Sequence, residues 1–115
     1  MASSDQQLRA LLAADRAVTA DRVAALSQDI EAIVEAARLV ATDDEHDPEG
    51  STIAFERSQT TAFLADARKH LDDLDSALER IEAGDYGRCE LCGQPIAPER
   101  LLARPAARTC INCAS

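Results

Sequence analysis

The sequence of 115 residues contains few aromatic side chains, with one tyrosine, two phenylalanines and no tryptophan. A thick core built on large rings is therefore excluded, and so is nucleic-acid binding that relies on stacking bases against aromatic side chains. Positive charge is also scarce, because 12 Lys and Arg residues stand against 21 Asp and Glu residues. The net charge of -9 repels a phosphate backbone, so we expect no direct binding of DNA.

Long apolar runs are absent as well. No stretch approaches the roughly 20 apolar residues that a membrane-spanning helix needs. The first residues, 1–5, lack the basic and apolar blocks of a signal peptide. We therefore expect a cytoplasmic protein that does not bind membranes, with the size of one small domain.

The sequence is rich in helix-forming residues arranged in heptads. Apolar residues spaced 3, 4, 3, 4 and 3 apart occur in a first arm at Val23, Leu26, Ile30, Ile33, Ala37 and Val40. The same spacing recurs in a second arm at Leu64, Ala67, Leu71, Leu74, Leu78 and Ile81. Such a stripe keeps one face of a helix against a partner helix. We predict a mainly α fold with a long antiparallel coiled-coil helical hairpin, whose first helix runs from about Ser4 to Ala41.

Charge and turn residues divide the chain into two regions. Residues 1–83 carry 8 basic and 18 acidic side chains, whereas residues 84–115 carry 4 and 3. Three of the four prolines and three of the four glycines also lie in the second region. We predict an acidic coiled-coil hairpin over 1–83, with its tip near 42–51, followed by a small loop-rich module over 84–115.

Proline and glycine also mark the predicted ends of the second helix. Asp47 followed by Pro48 is typical of an N-cap residue with proline in the first turn. Ser51 is the alternative cap if Gly50 delays the start of the helix. Gly84 is placed where a helix commonly ends in the left-handed conformation.

All four cysteines lie near the C-terminal end, as two CxxC pairs formed by Cys89 with Cys92 and by Cys110 with Cys113. The 17 residues between the pairs fit the spacing of a four-cysteine zinc site. Four sulfur ligands complete a tetrahedron and leave no position open for water, so we predict one structural Zn²⁺ ion. Release of the zinc on oxidation, which would make the site a redox switch, is an alternative that stays open.

The module also contains four arginines, Arg88, Arg100, Arg104 and Arg108. They allow a small basic face that meets an acidic protein surface or a phosphate. The simpler interpretation is that they are solvated charges on a small module, and we give it more weight.

Enzymatic activity is not expected. His46 lies in the acidic turn and His70 flanks the apolar stripe, and neither has a Ser or Cys partner that indicates a catalytic triad. The sequence shows no Gly-rich phosphate loop and no carboxylate pair in a recognisable cleft.

The residues around the cysteines carry a specific signature. Residues 84–96 read GDYGRCELCGQPI, residues 99–105 read ERLLARP, and residues 110–113 read CINC. These stretches closely resemble the DksA/TraR zinc-finger family, and together with the predicted hairpin the resemblance covers nearly the whole chain. It implies a regulator that binds bacterial RNA polymerase, with the hairpin in the secondary channel and acidic tip residues near the active centre.

Five carboxylates stand within seven residues at the predicted tip: Asp43, Asp44, Glu45, Asp47 and Glu49. From the residues alone they form a solvated loop whose charge prevents aggregation, or a site for a hard cation without the calcium-loop pattern. The family resemblance implies instead that they contact the polymerase or its magnesium environment.

The tip departs from the family's regulatory motif D-x-x-D-x-A. Asp47 matches the first Asp, but Gly50 and Thr52 stand where the second Asp and the Ala are expected. In another register Asp44 and Asp47 supply the two acids, with Glu49 in place of the alanine. An equivalent tip therefore stays possible in the second register only.

A different class of function also stays open. An isolated antiparallel helix pair exposes much of its surface, and a dimer or a partner helix would cover it. A structural or adaptor protein that self-associates as a homo-oligomer, or recruits another protein, is the alternative to the polymerase-binding regulator.

Overall fold

The computed structural model describes residues 2–40 and 48–114, with side chains over 5–39 and 52–114. It contains helices α1 (Ala2–Val40), α2 (Pro48–Ala83) and α3 (Pro98–Ala103). The two long helices confirm the mainly α prediction, whereas the short α3 was not predicted. As far as the described residues go, no helix contains an apolar segment of the length needed to span a bilayer.

The ends of α2 follow the proline and glycine signals. The helix begins at Pro48, before Gly50, so the start is the one expected with Asp47 rather than Ser51 as the cap. Asp47 itself lies outside the described residues. At the other end Gly84 has a φ of 81°, which its missing Cβ permits. Its N–H donates to the carbonyl of Ile81 at 3.2 Å, as in a Schellman cap, and this confirms the predicted end.

The chain divides into two compact units. The terminal unit comprises Met1–Val18 and His70–Ser115, and the middle unit comprises Thr19–Lys69. Each unit therefore contains a part of α1 and a part of α2. The boundaries predicted from composition, 1–83 and 84–115, stay a prediction.

The core of the terminal unit lies between the start of α1 and the end of α2. Its buried residues are Leu12, Leu74 and Ala77. The partly buried side chains packed against them are Leu8, Leu78, Ile81, Tyr86 and Ala106. Because Tyr86 and Ala106 belong to the C-terminal module, that module packs directly on the helix pair.

Two ion pairs establish that α1 and α2 run antiparallel in the terminal unit. Arg9 bonds Glu82 at 2.9 Å, and Arg16 bonds Asp75. A step forward along α1 is thus a step backward along α2, as predicted for a hairpin. Both pairs are half-exposed, so water screens them and they add little to stability.

In the middle unit the residues of the predicted apolar stripes are less buried than the core residues of the terminal unit. Thr19, Leu64 and Ala67 are buried. The described stripe residues of α1 are only partly buried there, namely Val23, Leu26, Ile30, Ile33 and Ala37. The side chain of Val40, the last residue of that stripe, lies outside the described residues.

Candidate metal centre

The first cysteine pair lies on a tight turn that backbone hydrogen bonds define. The N–H of Cys89 donates to the carbonyl of Gln94 at 2.9 Å, and the N–H of Gly93 donates to the carbonyl of Cys89 at 3.0 Å. Gly93 has a φ of 73°, a backbone angle that residues with a Cβ atom rarely adopt. The glycine after Cys92 therefore permits the turn, as the sequence indicates.

A similar turn carries the second cysteine pair. The N–H groups of Cys113 and Ala114 both donate to the carbonyl of Cys110, at 3.1 and 2.9 Å. This geometry folds the chain back on itself, so that the two sulfur atoms of the pair face the same side. Both pairs thus present their thiols from short turns, and the two turns belong to the same terminal unit.

The four sulfur atoms come together in one group. The Sγ atoms of Cys89, Cys92, Cys110 and Cys113 all lie within 4.8 Å of one another. Cys92 Sγ and Cys110 Sγ are 3.8 Å apart, and all four cysteines are free of disulfide bonds. Zinc bonded to sulfur at about 2.3 Å in a tetrahedron separates two ligands by about 3.8 Å. The group therefore fits one tetrahedral metal ion.

The pKa values of two of the thiols are shifted in opposite directions. The backbone N–H of Cys110 is the main influence that lowers the pKa of Cys89 to about 6, against the opposing effect of burial. Hydrogen bonding to the sulfur of Cys110 is the main influence that raises the pKa of Cys113 to about 12. At neutral pH Cys89 is a thiolate ready to bind a cation, whereas Cys113 must lose a proton when metal binds.

Cys92 combines both kinds of influence. The N–H of Gln94 has the largest single effect and lowers the pKa of Cys92. Hydrogen bonding to the Cys89 sulfur, burial and the Cys110 sulfur outweigh it, so the pKa of Cys92 is raised overall. Cys92 therefore also holds its proton at neutral pH until a metal displaces it.

The segment before the second pair, residues 105–109, is held by hydrogen bonds to its carbonyl groups. Tyr86 Oη donates to Pro105 at 2.8 Å and Arg100 Nε donates to Thr109 at 2.9 Å. The N–H of Glu90 donates to the carbonyl of Arg108 at 2.9 Å. This segment, which leads into Cys110, is therefore fixed against both α3 and the first cysteine turn.

Three of the four arginines of the module, Arg88, Arg100 and Arg108, make hydrogen bonds that the sequence analysis did not predict. Arg88 Nη1 donates to the carbonyl of Gly93 at 3.2 Å, and Arg108 bonds the carboxylates of Glu90 and Asp73. No local sequence pattern indicates which of these arginines bond to a carbonyl or a carboxylate group. Solvation alone is thus an incomplete interpretation of these side chains.

The remaining sequence-predicted residues fall in two places. Asp43, Asp44, Glu45, His46 and Asp47 lie outside the described residues, and so does the side chain of Glu49. His70, expected to be merely solvated, is half-exposed and its Nε2 lies 3.0 Å from Asp15 Oδ2.

Comparison with protein families identifies the module. Residues 84–115, hereafter the finger, match the family described as the prokaryotic dksA/traR C4-type zinc finger. A C4-type finger and four cysteines grouped to bind one ion together support one structural Zn²⁺.

Curated relatives match part of this chain. It is 44% identical over 46 residues to the RNA polymerase-binding transcription factor DksA of Escherichia coli K12. The matched segment covers 40% of this chain and 30% of that protein. It is 41% identical over 66 residues to the uncharacterised protein YteA of Bacillus subtilis 168. That matched segment covers 57% of this chain and 28% of that protein. The match thus spans less than a third of each of these relatives.

A solved structure is similar over nearly the whole chain. The structure of transcription factor DksA2 from Pseudomonas aeruginosa has a TM-score of 0.72 and 28% sequence identity. The similarity covers 96% of this chain and 79% of that chain, so it includes the long helices as well as the finger.

Proposed function

This chain is a zinc-finger protein of the DksA/TraR family, and on that premise we propose that it is a transcription regulator that binds bacterial RNA polymerase. The similarity to DksA2 over 96% of the chain carries the proposal, because it extends beyond the finger to both long helices. The name of the Escherichia coli relative, an RNA polymerase-binding transcription factor, supports the same partner.

The finger serves as the structural base of this regulator. We propose Cys89, Cys92, Cys110 and Cys113 as the four zinc ligands, which the grouping of their sulfur atoms supports. The ion would close the two turns onto each other and supply most of the folding free energy of this module. Four thiolates leave the ion no open position, so its role is structural and not catalytic.

The hairpin enters the secondary channel of the polymerase in this proposal. The acidic segment that runs from residue 43 to the start of α2 would reach the active centre, with Asp43, Asp44, Glu45, Asp47 and Glu49 as its carboxylates. Negative charge near the catalytic magnesium would change the stability of promoter complexes through local electrostatics. Support for this step comes from the sequence and the family resemblance.

Regulation would proceed without DNA contact and without catalysis. The net charge of -9 and the three aromatic residues favour a protein surface over a nucleic acid as partner. The DksA/TraR family regulates transcription, which supports a non-enzymatic role in the cytoplasm, where the polymerase works.

Binding to purified core polymerase tests this proposal. The zinc-loaded full chain should bind, and charge reversal at Asp44 and Asp47 should change promoter-complex lifetime while binding persists. Charge reversal at Asp21 and Asp29, exposed residues of α1, is the matched control and should leave promoter-complex lifetime unchanged. Unchanged transcription with the Asp44 and Asp47 variant still bound would refute the tip mechanism, and absence of binding would refute the polymerase partner.

A coiled-coil adaptor is the second candidate, because several large apolar side chains of the long helices are exposed. Leu11, Val18 and Leu39 of α1 are each 68% exposed, and Phe55 of α2 is 67% exposed. A second copy or another protein would remove this apolar surface from water. A molar mass that rises with concentration, together with absence of polymerase binding, would favour this candidate over the regulator.

A further inference from the structure

Arg108 joins both cysteine turns to helix α2. Its Nε donates to Glu90 Oε1 at 3.0 Å, and its Nη1 donates to Asp73 Oδ1 at 3.2 Å. Glu90 lies inside the first CxxC pair, Arg108 lies two residues before the second pair, and Asp73 belongs to α2. The side chain of Arg108 therefore contacts the first cysteine turn and α2 at the same time, from the segment that leads into the second turn.

The contact with Asp73 is the more sheltered of the two. The side chain of Asp73 is only 18% exposed, compared with 41% for that of Glu90. Hydrogen bonds between charged partners are worth more when water is largely excluded than at an open surface. The planar guanidinium group reaches both carboxylates from one fixed orientation, which an ammonium group does not reproduce.

The backbone on each side of Arg108 is fixed by independent contacts. The carbonyl of Arg108 accepts from the N–H of Glu90 at 2.9 Å, so the main chain and the side chain bind the same residue. Ala106, two residues earlier, packs against the core of the terminal unit. A shift of the second cysteine turn would therefore break the contact between Arg108 and Asp73.

We propose that Asp73, acting through Arg108, is a positioning residue for the zinc site. Through this contact, zinc binding is coupled to the stability of the α1–α2 pair in the terminal unit. Asp73 is no zinc ligand and stands 16 residues before the first cysteine. Coupling of two equilibria is reciprocal. The factor by which the contact between Arg108 and Asp73 raises zinc affinity is therefore the factor by which zinc strengthens that contact. The inference goes beyond polymerase binding and does not depend on it.

Zinc affinity of the full chain, measured by competition with a chromophoric chelator at fixed pH, tests the coupling. Asp73→Asn should weaken zinc binding about fivefold. Arg108→Lys, which keeps the charge but not the planar fork, should weaken it by about fivefold to tenfold. The double variant should lose little more than Arg108→Lys alone, because both changes remove the same contact. Zinc should also raise the thermal unfolding midpoint of the helices less in each variant than in the parent protein.

Two neighbouring residues supply matched controls. Asp72→Asn makes the same chemical change one residue away at an exposed position, and it should leave zinc affinity unchanged. Asp75→Asn removes the ion pair with Arg16 and weakens the helix pair without touching the finger, so it should also leave zinc affinity unchanged. Equal zinc affinity in the Asp73→Asn and Asp72→Asn variants would overturn the proposal. Additive losses in the double variant would overturn it too.

Discussion

The terminal and middle units contain parts of the same two helices but are stabilised differently. In the terminal unit the finger packs Tyr86 and Ala106, both partly buried, against a buried core between the helices. In the middle unit the buried residues among those described are Thr19, Leu64 and Ala67, and one of them is polar. The described stripe residues of α1 in the middle unit are all only partly buried.

This difference shows what each part of the helices relies on. Apolar burial contributes about 25 cal/mol per Å², so the terminal unit gains more from packing than the middle unit. The middle unit depends more on the helix propensity of its alanine-rich sequence and on a narrow, half-buried stripe. We infer that stability is concentrated in the terminal unit, next to the zinc site.

The largest expected effect comes from loss of zinc, which should unfold the finger but leave most of the two long helices folded. Removal of zinc, or Cys89→Ser, should unfold residues 84–114, because structural zinc supplies about 10–16 kcal/mol of apparent binding free energy to such modules. Helices α1 and α2 should keep most of their circular-dichroism signal, with a lowered unfolding midpoint. Hydrogen exchange resolved along the chain measures both. Addition of zinc to the chelated protein is the control, and complete loss of helicity would contradict the expectation.

Two leucine substitutions compare the packing of the two units. Leu74→Ala removes a side chain that is 1% exposed and should lower the free energy of unfolding by about 2–5 kcal/mol. Leu26→Ala makes the same change at a half-buried position of the middle unit and should cost less than about 2 kcal/mol. Urea unfolding of the zinc-loaded proteins measures both values. Equal losses would contradict the stated difference between the units.

The pH dependence of zinc binding tests the environment of the thiols. At neutral pH Cys92 and Cys113 hold protons, since the pKa of each is raised, and that of Cys113 to about 12. Zinc must displace at least two protons, so its affinity should fall by a factor of about a hundred or more for each pH unit of acidification between pH 8 and 7. Below about pH 6 the Cys89 thiolate also gains a proton, and the fall should become steeper. Chelator competition at several pH values measures this, and a pH-independent affinity would contradict it.

The smallest expected effect concerns the hydroxyl group of Tyr86, which donates a hydrogen bond to Pro105 within the finger. Tyr86→Phe loses the hydrogen bond to the carbonyl of Pro105 and should lower the free energy of unfolding by about 0.5–1.5 kcal/mol at pH 8. Burial raises the pKa of Tyr86, with Arg80 opposing it, so protonated Tyr86 is the form that favours folding.

The contribution of Tyr86 should therefore be complete below its ordinary pKa and be lost as the pH rises through the raised folded value. Urea unfolding of the parent and Tyr86→Phe proteins above pH 10 should show a smaller difference than at pH 8. A difference that grows with pH would contradict the assignment.

Much of the fold and of the metal site was predictable from the sequence, because both depend on short-range spacing. The heptad stripes predicted two antiparallel helices, Gly84 predicted the end of α2, and the two CxxC pairs predicted one zinc site. These patterns work because each repeats the geometry of a helix, a left-handed turn or a tetrahedral ion within a few residues.

The contacts made by the polar side chains could not be predicted in the same way. Arg108 and Asp73 are 35 residues apart in sequence, and Asp15 and His70 are 55 apart. Whether such charges meet depends on how the finger and the helices pack, which no local pattern encodes. The interpretation of Arg108 as a solvated charge was incomplete for this reason.

The most direct test of the polymerase-binding account is to find where the acidic tip lies in the complex. A photo-crosslinker in place of Glu49 in the zinc-loaded protein, irradiated with core RNA polymerase, reports the position of the start of α2. The account predicts crosslinks to residues that line the secondary channel. Binding with crosslinks only outside the channel, or absence of binding, would contradict it.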